Sequence, residues 1–200
     1  QKKKFQKITK FIKKRLNITK NDKLLDFGSG NGAFILFFKN KVKNLYSLEI
    51  SKPLINFQKR NFGKIKYIIT NPYNVNFFRK IKNNEIDVTI SNSVFQYFYS
   101  EKYCKLILAE MIRSTKKTIF IYDIKNKNKK NRYLESVRKR QKLSLIDFKK
   151  KYKNTPQRFY TKAFFKNFLK KKFPQIRLKF FNLPKEATDY EFGYCLKIIK

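Results

Sequence analysis

A chain of 200 residues with 50 Lys and Arg against 13 Asp and Glu, a net charge of +37, is long enough for one domain with a proper core. Its longest apolar run, residues 33–38, has six residues, far short of the ~18 a membrane helix needs. With no His and two widely separated Cys, Cys104 and Cys195, no zinc site is expected, and both thiols read as small buried hydrophobes.

Residues 4–16 place Phe5, Ile8, Phe11, Ile12 and Leu16 at helical spacing with lysines opposite. This basic, amphipathic start does not resemble a secretory signal, so a soluble cytoplasmic protein is the expectation. The chain begins at Gln1, as a trimmed piece of a longer protein would. A short strand over 23–27 runs into a glycine cluster, and a helix over 33–41 starts directly after it. Residues 44–50 form the next strand. Ser51 then caps a helix with Pro53 in its first turn, and Gly63 ends it.

Strands follow over 65–69 and 86–91, with a loop over 71–84 between them. A helix over 101–113 and a fully apolar strand over 118–122 complete the alternation. Such alternation builds a parallel sheet covered on both faces. After Asp123 the pattern changes. The run 125–132 reads as a solvated loop, and helices are predicted over 131–142, 145–152 and 161–171. Two strands without an intervening helix, 176–181 and 191–199, suit an antiparallel hairpin at the sheet edge. No repeat or second domain is evident, so 1–200 reads as a single domain.

Three of the five glycines lie between Gly28 and Gly32. A glycine-rich turn between strand and helix lets backbone N–H groups approach a ligand where no Cβ would fit. Glu49 ends the following strand, 19 residues after Gly30, where a carboxylate would hold a ribose diol. Gly28, Gly30 and Ala33 also satisfy the dinucleotide fingerprint G-x-G-x-x-A. Asp26 discriminates between the two. A carboxylate two residues before the first glycine repels a pyrophosphate and attracts the ammonium and sulfonium of S-adenosylmethionine. The alternative role for Asp26 is to accept from loop N–H groups.

The segment LLDFGSGNGAF, with its D-x-G-x-G-x-G core, resembles the first motif of class I S-adenosylmethionine-dependent methyltransferases. LYSLEIS resembles their second motif and IDVTISNSVFQYF their fourth-strand segment, the likeness covering roughly 18–124. It implies a Rossmann-like, doubly wound, seven-stranded α/β sheet, mostly parallel with an antiparallel C-terminal strand. The cofactor-binding part is then 18–124, and the acceptor-side insert and hairpin 125–200. The resemblance also implies roles. Asp26, Gly28, Ser29 and Gly30 would surround the methionine moiety, Glu49 would take both ribose hydroxyls, and Ile50 would pack against adenine. Asn92 would line the methionine side. Where many relatives have an acid for the adenine amino group, this chain has Thr70-Asn71, so Asn71 supplies a neutral acceptor or simply turns the chain before Pro72.

A hydroxyl acceptor needs a base, whereas an amine needs only to be deprotonated. Without histidine the candidates are Asp123, at the carboxyl end of the fifth strand, Tyr97 and Tyr160; each also has a structural reading, as a cap or a core aromatic. The run SNSVFQYF most resembles methyltransferases of small molecules or surface glycans, and the expected acceptor is of that kind. The alternatives are an RNA methyltransferase, supported by charge and by aromatics expected to be exposed at Arg158-Phe159-Tyr160, and a dinucleotide oxidoreductase or inactive cofactor-binding protein. Lysine outnumbers arginine 41 to 9, and Lys, Asn, Ile, Phe and Tyr share AT-rich codons. Genome composition therefore explains the charge more economically than a polyanion surface. On either account, weak salt-sensitive association with RNA or anionic lipid is expected.

Overall fold

The computed structural model describes residues 2–63, 65–69, 78, 80–154 and 157–200. Helix α1 (Lys2–Leu16) leads into β1 (Lys23–Phe27), α2 (Ala33–Phe38), β2 (Asn44–Glu49), α3 (Lys52–Phe62) and β3 (Lys66–Ile69). Then come β4 (Ile86–Asn92), a 3-10 turn (Phe95–Tyr97), α4 (Glu101–Ser114) and β5 (Thr115–Lys125). The remainder is α5 (Lys130–Arg140), α6 (Leu145–Tyr152), α7 (Lys162–Lys172), β6 (Arg177–Asn182) and β7 (Gly193–Ile199). Four helices begin on the hydroxyl caps that short polar residues provide. Ser51, Ser100, Ser144 and Thr161 accept from the backbone N–H of Leu54, Tyr103, Asp147 and Phe164. Gly63, at φ 68°, ends α3.

The seven strands form one sheet in the order β3-β2-β1-β4-β5-β7-β6. Strands β1 to β5 pair in parallel, and β7 runs antiparallel between β5 and β6. The expected seven-stranded, mostly parallel sheet is therefore present, with the last strand drawn inward by one place. Strand order reverses between β1 and β4, which opens a crevice at the carboxyl ends of those strands. One face of the sheet is covered by Ile12 and Leu16 of α1, Ile35 and Phe38 of α2 and Phe62 of α3. The other face packs Ile107 and Met111 of α4 and Phe165 and Leu169 of α7. Both cysteines are buried and unpaired. Among the described residues no helix is long and apolar enough to cross a membrane.

The predicted 118–122 strand is longer than its apolar run. At its start Thr115 shares a buried hydrogen bond with Thr89 of β4 (2.6 Å), which ties the polar end to β4 across an irregularity in their pairing. At its far end a register shift between Ile121 and Ile124 lets β5 continue against β7 to Lys125. The reading of 125–132 as solvated loop is corrected at that point. Lys125 belongs to β5 and is only 3% exposed, because two carboxylates flank it, Asp123 on the same strand and Asp189, 64 residues away.

Candidate active site

The glycine loop is fixed by neutral polar side chains from three elements. Ser29 and Ser47 share a hydrogen bond (2.7 Å), Ser47 Oγ donates to Gln58 Oε1 (2.8 Å), and Gln58 Nε2 donates back to Ser29 Oγ (2.8 Å). The ring closes on itself, and the second Nε2 hydrogen reaches the Gly30 carbonyl (2.7 Å). All three side chains are buried, so every donor and acceptor that burial strips of water finds a partner. Glu49 holds the other side. Its Oε2 accepts from Gly30 N–H (2.7 Å), and its Oε1 from the N–H groups of Ile50 and Ser51 (2.8 and 2.9 Å). One carboxylate thus joins the loop after β1 to the cap of α3.

Two glycines show why side chains are absent here. A Cβ on Gly32 would lie 2.3 Å from the Phe62 ring, so α3 packs directly on the loop. Gly30, at φ 57°, has nothing within 4 Å of its Cβ position, so a side chain there would project into open space where the loop borders the crevice.

That crevice is a cavity of about 530 Å³. Its walls include Gly28, Gly30, Glu49, Ile50, Asn92 and Tyr97 among the residues singled out from sequence. Ile50 and Tyr97 stand at its rim, 54% and 69% exposed. Sequence reasoning had not identified Ser93, Val94, Phe98, Tyr99 and Tyr103, which complete the β4 side. None of the described lining residues is Lys or Arg, in a chain with 50 of them.

The other candidates lie off the wall. Ser29 is turned inward to Ser47 and Gln58. Asp26 lies under the loop, fully buried, and its Oδ2 has no hydrogen-bond partner. Burial, with repulsion from Glu49, pushes its carboxyl up to about 7. Its place before the glycines predicts a standing negative charge, whereas burial favours the protonated form. In the folded protein without ligand it is half protonated near neutrality. Tyr160 is a core aromatic whose hydroxyl donates to the Phe95 carbonyl (3.1 Å), and burial raises its proton affinity further. Phe159 is buried as well, so the aromatic stretch expected to be exposed at 158–160 is not. Asn71 lies outside the described residues.

Asp123 stands beyond the β4 side of the crevice and meets it through Ser93. It sits in the register shift of β5 at φ 60°, facing Ser93 at φ 55°, two strained backbones joined by a hydrogen bond from Ser93 Oγ to Asp123 Oδ2 (2.8 Å). Lys125 Nζ lies 3.1 Å from Asp123 Oδ1 and 2.9 Å from Asp189 Oδ2, and Arg140 bridges the other Asp189 oxygen at 2.8 Å. Burial raises the Asp123 carboxyl against the pull of Lys125 and Ser93. Burial acts the same way on Asp189, but Lys125 and Arg140 outweigh it and hold that group low. No group of three or more potential ligands stands ready for a metal among the described residues.

A sheet reversing at β1 and β4, a glycine loop over the crevice and an acid ending β2 define a Rossmann-like enzyme that uses a nucleoside-bearing cofactor. Residues 25–121 match the family model described as a methyltransferase domain. That stretch, from β1 into β5, is a methyltransferase domain, consistent with a class I S-adenosylmethionine-dependent methyltransferase whose cofactor is S-adenosylmethionine. Solved structures share the fold. A methyltransferase from Clostridium acetobutylicum ATCC 824 is 12% identical with a TM-score of 0.68, over 98% of this chain and 91% of that one. Magnesium protoporphyrin IX methyltransferase from Synechocystis PCC 6803, with bound SAH, is 11% identical with a TM-score of 0.65, over 99% and 82%. A SAM-dependent methyltransferase from Archaeoglobus fulgidus is 14% identical with a TM-score of 0.63, over 98% and 94%. No curated protein matches the sequence. The site suits this cofactor on its own terms: open space in front of Gly30, and at Asp26 a buried acceptor oxygen without a donor.

Proposed function

We propose that the protein, acting as one domain over 1–200 in the cytoplasm, transfers a methyl group to an oxygen or nitrogen of a small molecule or glycan. The observation that carries the acceptor class is that none of the described residues lining the cleft is Lys or Arg. A polynucleotide brings a phosphate with every residue, and a cleft built for one places cations beside the reacting base. The described basic residues lie elsewhere, where they provide weak salt-sensitive attraction to RNA or anionic lipid.

When bound, S-adenosylmethionine supplies a methyl group on a sulfonium leaving group. Glu49, set at the end of β2, is placed to accept from ribose hydroxyls while it holds Gly30. Gly28 and Gly30 give the backbone room for the methionine moiety, and Asp26 offers its free oxygen to the ammonium. Ile50 offers an apolar rim to adenine, and Asn92 a polar group beside the methionine. Among the candidate bases only Tyr97 stands on the wall. With Asp123 engaged by Ser93 and Lys125, and Tyr160 buried, positioning and exclusion of water supply most of the rate.

Calorimetry tests the cofactor roles. S-adenosylhomocysteine is expected to bind and NAD not, and Asp26→Ala and Glu49→Ala are each expected to weaken binding at least tenfold. Unchanged binding in both variants would remove these residues from the site. Transfer of labelled methyl into fractionated extract tests the acceptor. Label in small-molecule or glycan fractions is expected, and label released by nuclease would replace this reading with RNA methylation.

A further inference from the structure

A second cavity of about 490 Å³ lies in the insert after β5, between α5, α6 and the strand-like segment before α7. Its apolar wall is aromatic. Tyr133 and Phe159 meet edge to face with ring centres 5.6 Å apart, and Phe148 and Tyr152 lie 4.8 Å apart. Lys130, Arg140 and Lys149 also line it, and none of its described lining residues is acidic. The volume falls within the range of small-molecule sites.

Two sets of contacts link the walls of this cavity to those of the cofactor crevice. Along the chain, Arg158 N–H donates to the Gln96 carbonyl (2.8 Å), and its guanidinium reaches the carbonyls of Phe98 and Tyr99, both crevice residues. Across the fold, the cavity residues Tyr133 and Arg140 touch the string of charges that ends at Ser93. Lys125 Nζ stands 4.8 Å over the Tyr133 ring, and Arg140 bridges Asp189.

We propose that this cavity anchors the methyl acceptor, and that the acceptor is a small apolar anion, an aromatic or aliphatic body carrying a carboxylate or a phosphate. The acceptor role rests on the methyltransferase reading; binding of the anion does not. Two features lead to an anion. Among the described residues the crevice is lined by no cation, and the neighbouring cavity is lined by three and by no acid. Arg140 is partly neutralised by Asp189, which leaves Lys130 and Lys149, both exposed at the cavity, to meet the charge. The rings then take the apolar body by stacking and by excluding water.

The test uses the full chain with 1-naphthyl phosphate, 1-naphthoate and neutral 1-naphthol as probes. The protein has no Trp, so naphthyl fluorescence is read directly. Saturable one-to-one binding of at least one anion is expected, at least tenfold tighter than 1-naphthol. Lys130→Glu with Lys149→Glu is expected to weaken that anion at least tenfold and to leave S-adenosylhomocysteine binding unchanged. Lys130→Met with Lys149→Met repeats the test without reversed charge should the first pair destabilise the fold. Equal binding of 1-naphthol, absence of saturable anion binding or indifference to both variant pairs would overturn the proposal. So would displacement of the probe by S-adenosylhomocysteine, which would place it in the crevice, or by a single-stranded RNA oligomer. If wild-type protein fails to bind S-adenosylhomocysteine yet binds the anion, the methyltransferase reading falls and the anion site stands.

Discussion

On the α3 side of the glycine loop the buried polar side chains are neutral and close on one another in a ring of Ser29, Ser47 and Gln58, whereas beside β5 they form a string, mostly of ions, from Ser93 through Asp123, Lys125 and Asp189 to Arg140. The ring fixes a backbone shape at little electrostatic risk, since each partner is satisfied whatever the pH. The string stores large opposing terms: desolvation of several charges against their mutual attraction. A surface meant to hold one invariant cofactor suits the first construction. The second suits a region whose charge balance a ligand can alter, and it lies on the acceptor side.

Breaking the string should therefore cost more than breaking the ring. Lys125→Met leaves Asp123 and Asp189 facing one another in the interior, and a loss of about 3–5 kcal/mol is expected, read as a large drop in melting temperature. A loss below about 1 kcal/mol would mean that water reaches these carboxylates. Next comes Asp26, the one ionisable group beneath the ring end. Its folded carboxyl at about 7 lies above its ordinary value, so the stability it contributes is complete below pH ~4 and is lost as pH rises towards 7. Asp26→Asn should gain on wild type by about 2–4 kcal/mol between pH 4 and 8 in the absence of ligand. The depressed carboxyls of Asp22, Glu85 and Asp189 bend both curves equally and cancel in the comparison. Parallel melting curves across that range would show an ordinary Asp26.

Gln58→Leu opens the ring itself. It leaves the Gly30 carbonyl and two hydroxyls short of partners, at a cost of about 1–3 kcal/mol, with S-adenosylhomocysteine binding weakened in step. Stability lost with binding intact would limit the ring to folding. The smallest effect is expected at Tyr97→Phe, where turnover should stay within about twofold of wild type; a fall of about 100-fold or more would make that hydroxyl the base.

What could be read in advance follows the same division. Gly28, Gly30, Gly32 and Glu49 stand out because their spacing along a strand, a turn and a strand is itself the geometry. Gln58 left a trace, since it occupies the buried stripe of α3 with Ile55 and Phe62, and Ser47 interrupts an apolar strand. Lys125 left none. It is one lysine in a run of lysines, and what buries it is Asp189, 64 residues away. The strand β5 was foreseen only over its apolar middle because its ends are fixed by Thr89 and by β7, neither adjacent in sequence. The aromatic rings of Phe159 and Tyr160 were misjudged for the same reason: local lysines suggest exposure, and long-range packing decides otherwise.

The place of β7 bears on the order of assembly. While a ribosome is still making residues 193–199, β5 has its β4 partner but an open outer edge, and Lys125 has yet to meet Asp189. An unpaired apolar edge recruits other strands, and pairing across such sequence distance is slow. Residues 193–199 thus close an edge laid down much earlier in the chain, and the acceptor side takes shape only once they have been made.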